Sequence, residues 1–316
     1  MVRTLLVVLA VVASTAAAQS YPSKPIRVVV PFAPGGPVDV VARLLSPKMT
    51  ELLGQPLVIE NKAGAGGNLG VSQVARSPAD GYTVLMTSSS FAVNPALTPD
   101  AGYNAEKDFI PIAVVASQPN FIVVNAAFPA RTLAELLQMA RTQKLAFASP
   151  SSGTTPHLTA ENLFRVRAKV DITHIPFKGA GPAAAAVLAG EPPIGSMAGT
   201  APMPHIRSGK MRALAVSSKT RVPSLPDVPT LGELGYPDME DYTWVGVFVP
   251  AGTPAEIAQK LNDVVLRAVQ VPEVRERLEG LTFEITAAPL KPTADYVRTE
   301  LSKWAKVVRD TGAKAE

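Results

Sequence analysis

The chain has 316 residues, 47% hydrophobic and 18% charged, a length and composition that bury a full core and suit two lobes better than one. Its 30 Lys and Arg against 26 Asp and Glu give a net charge of +4, scattered and without a basic stripe interleaved with aromatics, which removes the case for a nucleic-acid partner. It has no cysteine, which excludes thiol nucleophiles, zinc–thiolate sites, disulfides and a lipidated cysteine after a leader.

Residues 1–20, MVRTLLVVLAVVASTAAAQS, combine a positive charge at Arg3, an apolar run from Leu5 to Ala13, and small residues before a cleavage point after Ala18 or Ser20. That run is far short of the roughly 20 residues a spanning helix needs, so the segment reads as a secretory signal peptide and the mature protein as exported and periplasmic. Arg3 leaves with it, taking Lys and Arg from 30 to 29 against 26 acids, near +3.

Strands and helices then alternate. Strands are expected at 26–31, 57–60 and 83–87, with helices at about 38–53 and from the Gly-rich NKAGAGGNLG to Arg76. This order predicts an α/β fold with a parallel sheet covered on both faces. DFIPIAVVASQPNFIVVNAAF adds two apolar strands, at 110–117 and 120–124. NAAFPAR interrupts the pattern, and it restarts: helix 132–141, strand 145–148, loop SPSSGTTPH, helix 157–167, strand 172–176, a Gly/Pro loop, helix 182–189, and strands near 193–197 and 212–216. A Pro-rich stretch ends this unit. TWVGVFVP is a further strand, and two amphipathic helices follow, at 255–270 and 293–310, the first started by Thr253 and Pro254.

Two restarts imply two crossings between lobes, near 122–128 and 235–246. The expected division is 21–124 for the first part of lobe 1, 125–240 for lobe 2, and 241–316 for the return to lobe 1. A two-segment hinge of this kind places the ligand in the cleft, beyond the carboxyl ends of the strands.

Two loops there have matching chemistry. In PFAPGGPVD, Gly35 and Gly36 precede Pro37, a natural first helical residue without an N–H, so the next N–H groups and the positive helix end favour a carboxylate or phosphate. Asp39 in that first turn either caps free N–H groups or accepts from a ligand amine, hydroxyl or water. Ser151, Ser152, Gly153, Thr154 and Thr155 before Pro156 repeat the design, and Thr87, Ser88, Ser89 and Ser90 end a third strand. Each such residue alone is ordinary turn chemistry, and the case rests on three such loops at strand ends.

Enzymatic patterns fit poorly. Counted from Gly64, GAGGNLG has Leu69 where G-x-G-x-x-G needs its last glycine. P-loop and G-x-S-x-G motifs are missing from the sequence. Ser151, His157 and Asp171 form a triad only on paper, His157 being a packing or ligand-contact residue on a helix face. His174 and His205 are isolated, so neither a metal nor a cofactor is expected.

YPSKPIRVVVPFAPGGPVDVVARLL, GQPLVIENKAGAGGNLG, DGYTVLMTSSSFAVNPAL, FASPSSGTTPHLTAENLF, IPFKGAGPA, GKMRALAVSS, LPDVPTLGELGYPD and WVGVFVPAGTP, in this order over nearly the whole mature chain, resemble the solute receptors of tripartite tricarboxylate transporters, the Bug receptors. The resemblance implies a two-lobed, type II-like periplasmic binding protein that closes on a small carboxylate through backbone N–H groups and bridging waters. By that resemblance Phe32, Ala33, Pro34, Gly35, Gly36 and Asp39 belong to one gripping loop and Ser151 to His157 to the other. Thr87 to Asn94, with Ser88, Ser89 and Ser90, then Phe177, Lys178 and Gly179, and Ala198, Gly199 and Thr200, correspond to side walls. Phe177 stands where tyrosine is common, and PPIGSMAGTAP lacks acidic and Phe/Asn residues, which implies a wider, more apolar distal pocket. The ligand classes left open are di- and tricarboxylates, acidic amino acids, nicotinate and aromatic carboxylates. The implied partner is a membrane permease of the tripartite tricarboxylate type or a sensor protein, the protein itself being a monomer without catalysis.

Overall fold

In chain order the elements are β1 (Ile26–Val30), α1 (Pro37–Leu53), β2 (Leu57–Asn61), α2 (Asn68–Ala75), β3 (Thr83–Ser88), α3 (Ser90–Leu97) and β4 (Phe109–Asn125). There follow α4 (Leu133–Ala140), β5 (Leu145–Ser149), α5 (Thr155–Glu161), β6 (Ile172–Pro176), α6 (Ala180–Ala189), β7 (Ile194–Ala198), α7 (Met203–Arg207) and β8 (Met211–Val216). The chain ends with β9 (Tyr242–Pro250), α8 (Ala255–Val269), α9 (Pro272–Gly280), β10 (Glu284–Ile285) and α10 (Leu290–Thr311). The structure, a computed structural model, describes residues 21–98 and 100–313, so the signal-peptide expectation for 1–20 lies outside the described residues.

The strand order is β2-β1-β3-β9-β4-β7-β5-β6, with β8 and β10 also paired to β4. Pairing is parallel in β2-β1-β3 and in β7-β5-β6, as the alternating pattern predicts. β9 and β4 run antiparallel to their neighbours, a departure from an all-parallel sheet. Its cause is that β9 arrives from the second half rather than through a crossover helix of the first.

β4 is one 17-residue strand where the sequence suggests two. Its residues 109–119 pair with β9 and its residues 120–125 pair with β7 and β8, so the strand passes from one half to the other at Pro119–Asn120. The second passage lies between β8 and β9. α9 and β10 fall in a stretch the sequence reading left without elements.

Each half is a sheet with helices on both faces. In the first half one layer buries Val41, Leu45 and Met49 of α1 against Leu261, Val264 and Val265 of α8, and the other buries Phe91, Trp244, Phe248 and Trp304. The apolar residues of α1 and α8 recur at three- and four-residue spacing, which is why these segments become helices with one buried face. Truncating a fully buried residue such as Leu45 to Ala costs about 2–5 kcal/mol. The second half has its own two layers, around Phe147 and Phe164 and around Phe121 and Met197.

Candidate functional site

α1 starts as its sequence dictates: Gly36 is the N-cap and Pro37 the first helical residue. The first backbone N–H of the helix with an intrahelical acceptor is that of Val40, bonded to the Gly36 carbonyl at 3.0 Å, so those of Val38 and Asp39 remain for other partners. α5 begins after Thr154 with Pro156 in its first turn, and α6 begins after Gly179 with Ala180. All three first turns border one cleft between the two halves. It is lined by Phe32, Gly36, Pro37, Val38, Asp39, Ser88, Pro150, Thr154, Thr155, Pro156, Ala180, Ala198 and Thr243, about 420 Å³ of empty space with its mouth included. No lysine or arginine is among these lining residues.

Asp39 is tied into its own loop and leaves the free first-turn N–H groups uncapped. Its carboxylate accepts from the Gly35 N–H at 3.1 Å, from Asn61 Nδ2 at 3.1 Å, and from Arg43 at 2.9 Å. Burial alone raises such a carboxyl, but the bonds from Arg43, Gly35 and Asn61 and the Arg43 charge outweigh it and hold Asp39 below the usual carboxylate range. The PFAPGG loop is thereby pinned, and the ion pair with Arg43 offsets the negative charge beside the cleft.

Glycines let the loops of the two halves touch. A Cβ on Gly153, whose φ is +76°, would lie 2.0 Å from Asn94 Oδ1, and one on Gly66 would lie 2.8 Å from the Ser152 carbonyl. Asn94 itself donates to the Gly66 carbonyl at 2.9 Å and to Asn68 Oδ1 at 2.8 Å. The Gly-rich segment thus packs on Phe32 and on the second half's loop, which accounts for its glycines by close approach.

His157 lies behind its loop, its Nδ1 accepting from the Gly153 N–H at 3.3 Å and its ring stacked on His174 at 4.0 Å. Burial first, and the Arg165 charge second, push His157 down to about 4. Burial with the charges of His157 and Arg165 pushes His174 to about 3, so both rings are neutral at physiological pH. Asp171 is 89% exposed and lies 3.9 Å from Arg165, so the paper triad of Ser151, His157 and Asp171 does not assemble.

Of the other residues singled out in the sequence, Phe32, Gly36, Asp39, Ser88, Thr154, Thr155 and Ala198 line the cleft. The Ala33 N–H donates to the Lys178 carbonyl at 3.1 Å, and Gly179 packs on Ala33, so the 177–179 loop closes on the first half's loop. Phe177 packs among the second half's apolar residues. A Cβ on Gly35 would be 4.0 Å from Gly181, while Pro34 presents its carbonyl to Gly181. Ser89 and Ser90 are buried behind Ser88, whose Oγ is 3.0 Å from that of Ser90, and Thr87 is wholly buried with its hydroxyl unpartnered. The Ser151 carbonyl accepts from Thr154 Oγ1 at 2.8 Å, and Ser152 Oγ is buried without a partner. Thr200 donates to Gln118 Oε1 at 2.8 and 2.9 Å, and Gly199 faces Thr282, which places both at the passage of β4 between halves.

Sequence reasoning missed Pro150, Ala180 and Thr243 as lining residues, and a buried polar cluster behind the cleft. There Asp241 accepts from Asn120 Nδ2 and, at 2.5 Å, from Thr159 Oγ1, while Ser217 Oγ donates to the Asp241 carbonyl at 2.6 Å. Burial pushes the Asp241 carboxyl up to about 6 against the opposing bonds from Thr159 and Asn120 and the charge of Lys303. The alternation Asp241-x-Thr243 at the start of an apolar strand, two polar residues on one face, is the signal that marks it.

Among the described residues no group of three His, Cys, Asp or Glu is placed to hold a metal ion, and no helix is long and apolar enough to cross a membrane.

The model of the tripartite tricarboxylate transporter family receptor matches residues 41–313 of the chain. Protein BugT of Bordetella pertussis is 39% identical over 96% of this chain and 94% of its own length. The structure of the periplasmic binding protein BugD is 34% identical, covering 94% of this chain and 100% of that one with a TM-score of 0.90. MatC from Rhodopseudomonas palustris with bound malate is 35% identical over 91% and 100% of the two chains, TM-score 0.86. A second R. palustris protein, with adipate, is 32% identical over 94% and 100%, TM-score 0.89.

Proposed function

The chain belongs to the tripartite tricarboxylate transporter family of receptors, and from that premise we propose that it captures a small organic carboxylate between its two halves and delivers it to a membrane permease of that tripartite type. One observation carries the reading: the first turns of α1, α5 and α6 converge on a single cleft without a lysine or arginine among its lining residues. Backbone N–H groups and positive helix ends then replace a cationic side chain, and they gain strength as closure excludes water. Malate and adipate in two structural neighbours support a carboxylate as the ligand class.

The gripping residues in this reading are Gly36 to Asp39 from the first half and Thr154 to Pro156 with Ala180 from the second, Asp39 acting by holding its own loop. Closure rotates the halves about β4 at Pro119–Asn120 and about the 217–241 segment. The protein works as a periplasmic monomer exported by residues 1–20, and it binds its ligand without transforming it.

The test is a thermal-shift panel on protein unfolded and refolded to strip carried-over ligand. It covers di- and tricarboxylates, acidic amino acids, nicotinate, aromatic carboxylates and NAD. A ligand at 100 times its dissociation constant adds about 2.7 kcal/mol to the native state. A shift with one carboxylate and none with NAD supports the receptor. A shift with the nucleotide alone overturns it.

A further inference from the structure

The wall of the cleft offers a ligand little besides carbon. Phe32, Val38, Pro150, Pro156, Ala180 and Ala198 border it, and no lysine or arginine stands among its lining residues. The four hydroxyl residues of that lining are satisfied inside the protein. Ser88 Oγ lies 3.0 Å from Ser90 Oγ, and Thr154 Oγ1 donates to the Ser151 carbonyl at 2.8 Å. Thr155 Oγ1 lies 3.1 Å from Ser89 Oγ and 2.7 Å from Thr243 Oγ1, which donates to Asn120 Oδ1 at 2.7 Å. The one charged side chain of the lining is Asp39, a carboxylate already bonded to Arg43, Asn61 and the Gly35 N–H.

What remains for an anion is backbone. The starts of α1 and α6 meet, since a Cβ on Gly36 would lie 3.6 Å from Ala180 Cβ and 3.8 Å from the Ala180 nitrogen. Their N–H groups therefore gather at one place rather than at two ends of the cleft. α5 brings to its first turn Pro156, which has no N–H. One carboxylate finds donors there. A second, at the far end of the same ligand, would give up water for carbon and engaged hydroxyls, with a carboxylate as the only charged group of the wall.

Resting on the carboxylate-receptor reading above, we propose that this protein takes monocarboxylates with an apolar body, aromatic or aliphatic, in preference to di- and tricarboxylates of the same shape. Affinity beyond the anchor then comes from carbon buried against the wall, about fourfold for each added methylene that the wall covers. In this the chain is set apart from the two structural neighbours that hold malate and adipate.

The experiment is calorimetric titration of refolded wild-type protein at pH 8, where both carboxyls of a diacid are ionised. One series is acetate, propionate and butyrate. Three pairs exchange a terminal methyl group for a carboxylate: butyrate and succinate, hexanoate and adipate, 4-methylbenzoate and terephthalate. Citrate stands for the tricarboxylates. The expected result is that the tightest ligand is a monocarboxylate and binds at least tenfold better than its diacid partner. Butyrate should exceed acetate by at least tenfold, with a heat capacity change of binding that grows more negative along the series. A tightest ligand with two or three carboxylates, a ratio below tenfold in its pair, or an affinity that stays flat from acetate to butyrate overturns the preference and leaves the receptor reading standing. No binding of any carboxylate at millimolar concentration overturns the receptor reading, and this inference with it.

Discussion

The Ala33 N–H donates to the Lys178 carbonyl at 3.1 Å across the cleft, so a loop of the first half closes on a loop of the second through backbone alone. Gly181 stands beside this contact, where a Cβ would lie 2.8 Å from the Pro34 carbonyl on the other side of the cleft. Gly181→Ala therefore favours helix α6 by up to about 1 kcal/mol while obstructing the closed arrangement. The expected outcome is an unchanged or raised melting temperature with a carboxylate affinity at least tenfold weaker. Wild-type affinity in this variant contradicts closure through these loops.

Much of this arrangement is legible in the sequence, and the limits have physical causes. Pro37, with two glycines before it and an apolar period after it, marks the start of α1. A strand's direction is not written in its own residues, so β9 read correctly as a strand while its antiparallel pairing did not. Pro119 reads as a break, yet it occupies the point where β4 changes partners and loses no ladder bond that a continuing sheet requires. Alternation alone cannot show that Asp241 and Asn120, 121 positions apart, meet. Asp39 illustrates a choice the sequence leaves open, which Arg43, Asn61 and the Gly35 N–H decide.

Asp241 gives a pH dependence with a definite sign. Its folded-state value of about 6 exceeds the ordinary 3.8, so its contribution to stability is fully present below the unfolded value and is lost as pH rises through 6. The loss by pH 8 is about 3 kcal/mol. In Asp241→Asn the amide oxygen accepts from Asn120 and the amide nitrogen donates to Thr159, as the protonated acid does. Denaturant unfolding at pH 5 and pH 8 should show the variant gaining on the wild type as pH rises. A difference that is the same at both pH values contradicts this.

Glu300 accepts from the indole nitrogens of both Trp244 and Trp304 at 2.9 Å, locking α10 onto β9 away from the cleft. Glu300→Leu leaves two buried donors without an acceptor, which costs about 2–4 kcal/mol. Urea unfolding should register that loss while carboxylate affinity at pH 8 stays within threefold. A loss under 0.5 kcal/mol, on the order of an ordinary surface substitution, would sink this account of the helix.

The most direct test of capture by closure is small-angle X-ray scattering of refolded protein with and without the carboxylate that shifts its melt. The account predicts a smaller radius of gyration on saturation in the wild type, and less contraction in Gly181→Ala. An unchanged scattering profile in wild-type protein saturated with a tightly bound carboxylate would contradict it.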